Sequence, residues 1–203
     1  MSELDRRIST ASPTDEDLIA QLQQGNEDAF DRLVARYKNP LMNFIFRFTG
    51  SYDEANDILQ ETFLRVYYHR DSYKPIAKFS TWIYTIAGNL AKSAVRRRKP
   101  GKFFSIFSGG HEGEESPARD IPDMRYRADQ TAEQSLQSDL IQNALAQLDD
   151  NQREIVLLCD VQELSYEEIC EITGLKIGTV KSRLNRARTK LKDLLSDLRQ
   201  EID

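Results

Sequence analysis

Apolar residues recur at intervals of three and four along most of the chain, and no segment alternates with the period of two that a half-buried strand needs. Thr14 and Asp17 have capping-box spacing, and Leu18, Ile19 and Leu22 follow as an apolar stripe that stops at Gly25. Asn26 is the expected cap of a second helix, with Phe30, Leu33, Val34 and Tyr37 at i, i+3, i+4 and i+7. Pro40 should kink or restart it, and Leu41, Phe44, Ile45 and Phe48 carry the stripe to Gly50. Asp53 is the expected cap of a third helix, with Ala55, Ile58, Leu59, Phe63 and Val66 inward. After a break at 73–75, Ser80 is the expected cap of a fourth, with Ile83, Ile86, Ala87, Leu90 and Ala94 on one face. Residues 14–99 read as one all-helical domain.

The segment 100–130 breaks the pattern. It holds Gly101, Gly109, Gly110, Gly113, Pro117 and Pro122, and residues 112–123 carry five acids against one Arg. It reads as a flexible linker, able when extended to span on the order of 90–100 Å. Phe103, Phe104, Ile106 and Phe107 are unusual in a solvated tether and suggest packing on a neighbour or a partner. Helical periodicity resumes over 131–198. Leu136, Leu140, Ala144 and Leu148 stripe one helix, the run 149–151 is a turn, and Ile155, Leu158 and Cys159 stripe the next. Ser165 and Glu168 form a capping box for a short helix with Ile169 and Ile172, which Gly174 ends. A last helix starts near Ile177, with Val180, Leu184, Ala187 and Leu191 on its apolar face. The expected fold is therefore all-α: two small helical domains joined by a flexible linker.

Charge sharpens this picture. The chain has 203 residues and a net charge of −5, yet residues 176–192 carry seven basic residues and no acid. The short helix, the glycine turn and the longer basic helix have helix-turn-helix spacing, whose second helix enters the DNA major groove. A solvated helix face normally mixes signs, so an all-basic face on an acidic protein points to nucleic acid. A second basic cluster, Lys92, Arg96, Arg97, Arg98, Lys99 and Lys102, ends the first domain, on a helix whose polar stripe is Thr85, Asn89, Lys92 and Arg96. Tyr73, Phe79, Trp82 and Tyr84 precede it; aromatics beside basic residues suit unstacked bases, although Phe79 and Trp82 fit a core equally well.

Other chemistry finds little support. His69 and His111 are the only histidines, with no ligand motif around them, and glycine-rich phosphate loops are missing. Neither a metal, a cofactor nor a catalytic constellation is expected. Cys159 and Cys170 lack metal spacing and read as buried free thiols. The longest apolar run is the five residues 155–159, and the N-terminus has no apolar stretch. A bilayer span needs roughly 18, so no membrane insertion is expected and the protein should be cytoplasmic.

Three stretches together resemble the sigma-70 family of RNA polymerase sigma factors, of the short extracytoplasmic-function (ECF) type. DEANDILQETFLRVYYH (53–69) is similar to the family's core-polymerase-binding region. FSTWIYTIAGNLAKSAVRRRK (79–99) resembles its −10-element region, and LSYEEICEITGLKIGTVKSRLNRARTKL (164–191) its −35-reading helix-turn-helix. The resemblance implies a factor that binds core RNA polymerase and promoter DNA, performs no chemistry itself, acts in a stress or envelope response and is held by an anti-sigma protein. It places Asp57, Gln60 and Glu61 against polymerase; Tyr73, Asn89, Lys92 and Arg96 on the −10 element, with the loop 71–78 capturing a flipped base; and Lys181, Ser182, Arg183, Asn185 and Arg186 on the −35 element. Pro75 and Asn185 depart from residues common in the family, which affects loop shape and one −35 contact. Three other classes compete with this reading: a conventional helix-turn-helix regulator, an enzyme on a helical scaffold, and an adaptor of interaction helices. The first would need a ligand pocket or a coiled-coil seam, and residues 14–99 show no long heptad run.

Overall fold

The structure, a computed structural model, describes residues 12–98 and 132–200, with only the helical backbone at 132–136 and 198–200. Among the described residues the regular structure is entirely helical. In chain order the helices are α1 (Asp15–Gln23), α2 (Glu27–Thr49), α3 (Tyr52–Tyr68), a 3-10 turn (Arg70–Ser72), α4 (Phe79–Arg98), α5 (Ala132–Ala146), α6 (Asp150–Val156), a π turn (Leu157–Val161), α7 (Tyr166–Thr173) and α8 (Ile177–Gln200). The linker segment, with its aromatic cluster 103–107, lies outside the described residues.

Helices α1–α4 pack around Leu18, Ile19, Leu33, Leu41, Phe44, Phe48, Phe79 and Ile83, all fully buried. Phe44 lies edge-on to Tyr84 with centroids 5.5 Å apart, and Tyr37 edge-on to Phe79 at 5.3 Å, geometries that add to area burial. The capping box at Thr14 is present, its Oγ1 accepting from the Asp17 amide while Asp17 accepts from the Thr14 amide.

Three boundaries of this first group differ from the expectation, and in the second group the turn expected at 149–151 is the cap and first residues of a helix. Pro40 neither breaks nor restarts α2, which runs unbroken for 23 residues; Leu33, Tyr37, Leu41 and Phe44 are buried on both sides of it, so packing outweighs the lost backbone bond. The cap of α3 is Ser51, whose Oγ accepts from the Glu54 amide, and Asp53 sits in the first turn, where a carboxylate favours the helix dipole. Helix α4 starts at Phe79, ahead of Ser80, because Glu16 of α1 accepts the Phe79 amide at 3.0 Å.

The second group of helices is built on Ala144, Leu145, Ile155, Leu157, Leu158, Ile169, Val180, Leu184 and Ala187. Asp149 caps α6, accepting from the Asn151 and Gln152 amides. After Val156 the helix widens by one residue, and the Gln162 amide donates to Leu157 O, five positions back. That π turn leaves Cys159 and Asp160 beside α8, where Arg188 Nε donates to Asp160 Oδ2 at 3.1 Å. Cys159 and Cys170 are free and half-buried rather than fully buried, since each sits at the rim of a helix contact.

The capping box of α7 is complete: Ser165 Oγ accepts from the Glu168 amide at 3.2 Å and Glu168 Oε2 from the Ser165 amide at 2.9 Å. Gly174 ends α7 at φ +69, in the left-handed region that side chains with a Cβ rarely adopt. Ser165→Ala should lower stability by about 1 kcal/mol, read as a fall in the thermal midpoint, whereas Ser165→Asp should keep most of it. An Ala variant that unfolds like the parent would mean that water replaces the cap.

One buried charge ties both groups together. Arg153 is nine-tenths buried or more, and its guanidinium donates to Leu145 O (2.8 Å), Ala146 O (2.8 Å), Leu148 O (3.1 Å) and Phe48 O (2.7 Å). It thus caps the C-terminal carbonyls of α5 and of α2 at once, where helix dipoles favour a cation.

Candidate polymerase and nucleic-acid faces

Helix α3 buries Ala55, Ile58, Leu59, Thr62, Phe63 and Val66 on one side. The opposite side carries Asp57 and Gln60, both exposed, and Glu61, half-buried and paired with Arg65 Nε at 2.6 Å. Spacings of i, i+3 and i+4 bring all three to one face, as expected. That face continues into exposed Leu64 and Tyr68, two large apolar residues the motif did not single out.

The loop between α3 and α4 is braced from within. Gln23 of α1 donates to Arg70 O (2.8 Å) and Tyr73 O (3.1 Å), fixing both ends of the 3-10 turn. Tyr73, expected in a base pocket, turns its ring inward: it is 7% exposed, 5.4 Å from the Trp82 ring and 5.9 Å from the Phe79 ring. Its hydroxyl donates to Ala77 O at 2.9 Å, and burial pushes its phenol upward. Tyr73 therefore acts as a strut that closes the loop on itself. The large apolar residue this loop presents outward is Ile76, which is 89% exposed. Phe79 is fully buried and Trp82 partly buried, so both belong to the core.

On α4, Asn89 and Arg96 are exposed. Lys92 lies on the same side of the helix, three residues after Asn89 and four before Arg96, so the three form one polar face. Lys92 is committed to an ion pair with Glu154, a partner that sequence reasoning missed. Arg98 pairs with Glu54 and donates to Thr49 O, which anchors the end of the helix.

On α8, Val180, Leu184 and Ala187 face the core, leaving Lys181, Ser182, Asn185 and Arg186 exposed and Arg183 half-buried. Four of the five expected −35 contacts are thus brought together on the free side of the second helix of the turn, while Arg183 flanks the apolar stripe. Lys181 lies 5.7 Å over the Tyr166 ring, and Arg186 Nε donates to Ser182 O at 3.3 Å, which holds its head along the helix. Two of the basic residues serve the fold instead: Arg188 pairs with Asp160, and Lys190 donates to Gln147 O at 2.7 Å.

The profile of Sigma-70 region 2 matches residues 33–100 and that of Sigma-70, region 4 matches 138–191. ECF RNA polymerase sigma factor SigW of Bacillus subtilis (strain 168) is 37% identical over 180 residues, 89% of this chain and 96% of that protein. The chain belongs to the sigma-70 family of RNA polymerase sigma factors. The ECF RNA polymerase sigma-E factor of Haemophilus influenzae is 30% identical over 91% of this chain and 97% of its own length. Among solved structures, CnrH in complex with the cytosolic domain of CnrY superposes with a TM-score of 0.69 at 25% identity, covering 90% of this chain and 97% of that one. The sigma factor RpoE in complex with the anti-sigma factor NepR from Bartonella quintana gives 0.59 at 27% identity, covering 82% and 96%. As a sigma factor, the chain directs RNA polymerase to promoters. No helix among the described residues is long and apolar enough to cross a membrane.

Proposed function

We propose that this sigma factor docks on core RNA polymerase through the α3 face of Asp57, Gln60 and Glu61, engages the −10 strand with Asn89, Lys92 and Arg96 of α4, and reads the −35 element with Lys181, Ser182, Arg183, Asn185 and Arg186 of α8. The observation that carries the reading is the co-occurrence of an acidic docking face and two separate basic faces, with 14–99 and 131–198 as the domains that hold them. Tyr73 contributes by shaping the loop that presents Ile76, and the base-contacting role expected of it passes to the loop's outward atoms. The chain performs no chemistry of its own and works in the cytoplasm, where polymerase and promoters are. An anti-sigma protein is a further expected partner; the RpoE structure, whose partner is the anti-sigma factor NepR, supports that expectation.

The test uses Asp57→Ala with Glu61→Ala. Both are surface positions, so circular dichroism and the thermal midpoint should hardly change. Retention on immobilised core polymerase should fall at least tenfold, and run-off transcription should fall with it. Unchanged co-purification with core polymerase would remove α3 as the docking face. A conventional regulator would instead bind duplex DNA tightly and specifically without polymerase.

A further inference from the structure

Helix α4 and the loop before it meet the C-terminal helices along a single stripe. Lys78 Nζ lies 2.8 Å from Glu168 Oε1, Thr81 Oγ1 donates to Glu171 Oε2 at 3.3 Å, and the Tyr84 hydroxyl donates to Gln162 Oε1 at 2.5 Å. About two turns further, Lys92 Nζ lies 2.9 Å from Glu154 Oε1 and 3.1 Å from Oε2. Every group on the α4 side is a donor, and every group on the other side is an acceptor oxygen, three of the four from carboxylates. Residues 74–98 hold six basic residues and no acid, while 135–175 hold nine acids against Arg153 alone. Of the two ion pairs, that of Lys92 with Glu154 is the more buried, its side chains 17% and 4% exposed against 67% and 18% for Lys78 and Glu168. Between Tyr84 and Lys92 the helix carries Gly88, where a Cβ would stand 2.7 Å from Glu154 Oε1. Glycine in a helix interior is destabilising relative to alanine, and its use here coincides with the close approach of that carboxylate.

A row of acceptor oxygens, three of them anionic, set against a row of lysine and hydroxyl donors is the arrangement that a nucleic-acid backbone would make on the same helix. We propose that Lys78, Thr81, Tyr84 and Lys92 form one strand-binding stripe, and that Glu154, Gln162, Glu168 and Glu171 occupy it as surrogates for strand phosphates, so that the closed chain excludes the −10 strand. This rests on the assignment of α4 to the −10 element. It adds Lys78, Thr81 and Tyr84 to the strand contacts and gives the C-terminal helices an inhibitory role toward the N-terminal ones. Lys181, Ser182, Asn185 and Arg186 of α8 stay exposed in the same conformation. Opening requires something that separates the two groups of helices, which core polymerase does if it holds each group on a different surface.

The experiment uses the full chain and a fluorescein-labelled, mixed-sequence single-stranded DNA 12-mer, followed by anisotropy. Glu154→Gln, Glu168→Gln and Glu171→Gln are combined; each keeps its shape and loses its charge. The comparison variant, Asp139→Asn with Glu163→Gln and Glu167→Gln, loses the same charge away from the stripe. The first triple should bind at least tenfold tighter than the parent, and the second less than threefold. The slope of log K against log salt should steepen by about 1.4 in the first triple, since two lysines each gain a phosphate at about 0.7 per contact on single strands. Adding Lys78→Ala and Lys92→Ala should abolish the gain. Gly88→Ala, which forces the Glu154 carboxylate aside without altering any charge, should give part of the same gain and keeps the test available if the triple folds poorly. Equal gains in the two triples, or a gain that survives loss of both lysines, overturns the proposal. Run-off transcription with core polymerase separates this from the broader assignment: inactivity of the parent chain on every promoter fragment would sink the sigma reading of α4, whatever the 12-mer shows.

Discussion

Arg153→Met should be among the most damaging single substitutions in this protein, with a loss of about 4 kcal/mol in urea unfolding. Methionine fills much of the space, so the effect isolates hydrogen bonding from packing. Four carbonyl oxygens share the one guanidinium, three from the end of α5 and the turn after it and one from the end of α2. Bonds from a charged donor contribute about 1.5–3 kcal/mol each, though four to one group do not add in full. Against a total stability of about 5–15 kcal/mol, such a loss leaves a sizeable unfolded fraction near physiological temperature. Arg153→Lys should recover less than half, because an ammonium is a point charge and cannot reach four acceptors spread around a planar fork. The burial that lowers the guanidinium pKa does not discharge it, as arginine starts too high to titrate. A methionine variant within about 1 kcal/mol of the parent would show that these carbonyls find water instead.

The second large effect concerns α8. In holoenzyme, replacing Lys181, Arg183 and Arg186 with alanine together should reduce binding to a −35-dependent promoter by at least a hundredfold at moderate salt. Each duplex phosphate contact contributes about 0.9 to the salt slope, so the slope should flatten by up to about 2.7. Substitutions one at a time divide the roles. A residue on a base edge should relax preference at one base pair with a penalty of about 1–3 kcal/mol, while one on a phosphate should weaken all sequences alike. Asn185 is the natural candidate for an adenine edge, and Asn185→Ala should act in the first manner. The triple variant must still bind core polymerase through α3; if promoter binding also survives intact, α8 is not the reading helix.

Much of this was open to direct reading because helices announce themselves locally. Ser165 with Glu168, Thr14 with Asp17, and Gly174 each fix a boundary through bonds within one turn. The exposed residues of α3 and α8 follow from where the apolar stripe is not. What escaped was decided by distant chain. Ser80 lost the start of α4 to Phe79 because Glu16, 63 positions earlier, accepts the Phe79 amide. Tyr73 looks from sequence like a loop aromatic facing solvent, yet Gln23 and Ala77 close the loop around it. Nothing in the local pattern marks Arg153 and Glu154 as interior residues, yet both are buried. Their partners, Phe48 and Lys92, belong to the other end of the chain, and no local pattern encodes those encounters.

The π turn at the end of α6 limits how this chain can change in length. It holds one residue more than a regular helix would over the same rise, and that residue sets the direction in which Asp160 leaves the helix toward Arg188. Deleting a residue there would relax the segment to ordinary α geometry and swing everything after it by about 100°. Asp160 would leave Arg188, and Glu168, Glu171 and Gln162 would lose their register with α4. The stretch from Leu157 to Ser165 resembles a connector, where insertions and deletions are usually harmless, but it behaves as a gauge block. Substitutions should accumulate there over evolution far more readily than changes in residue number.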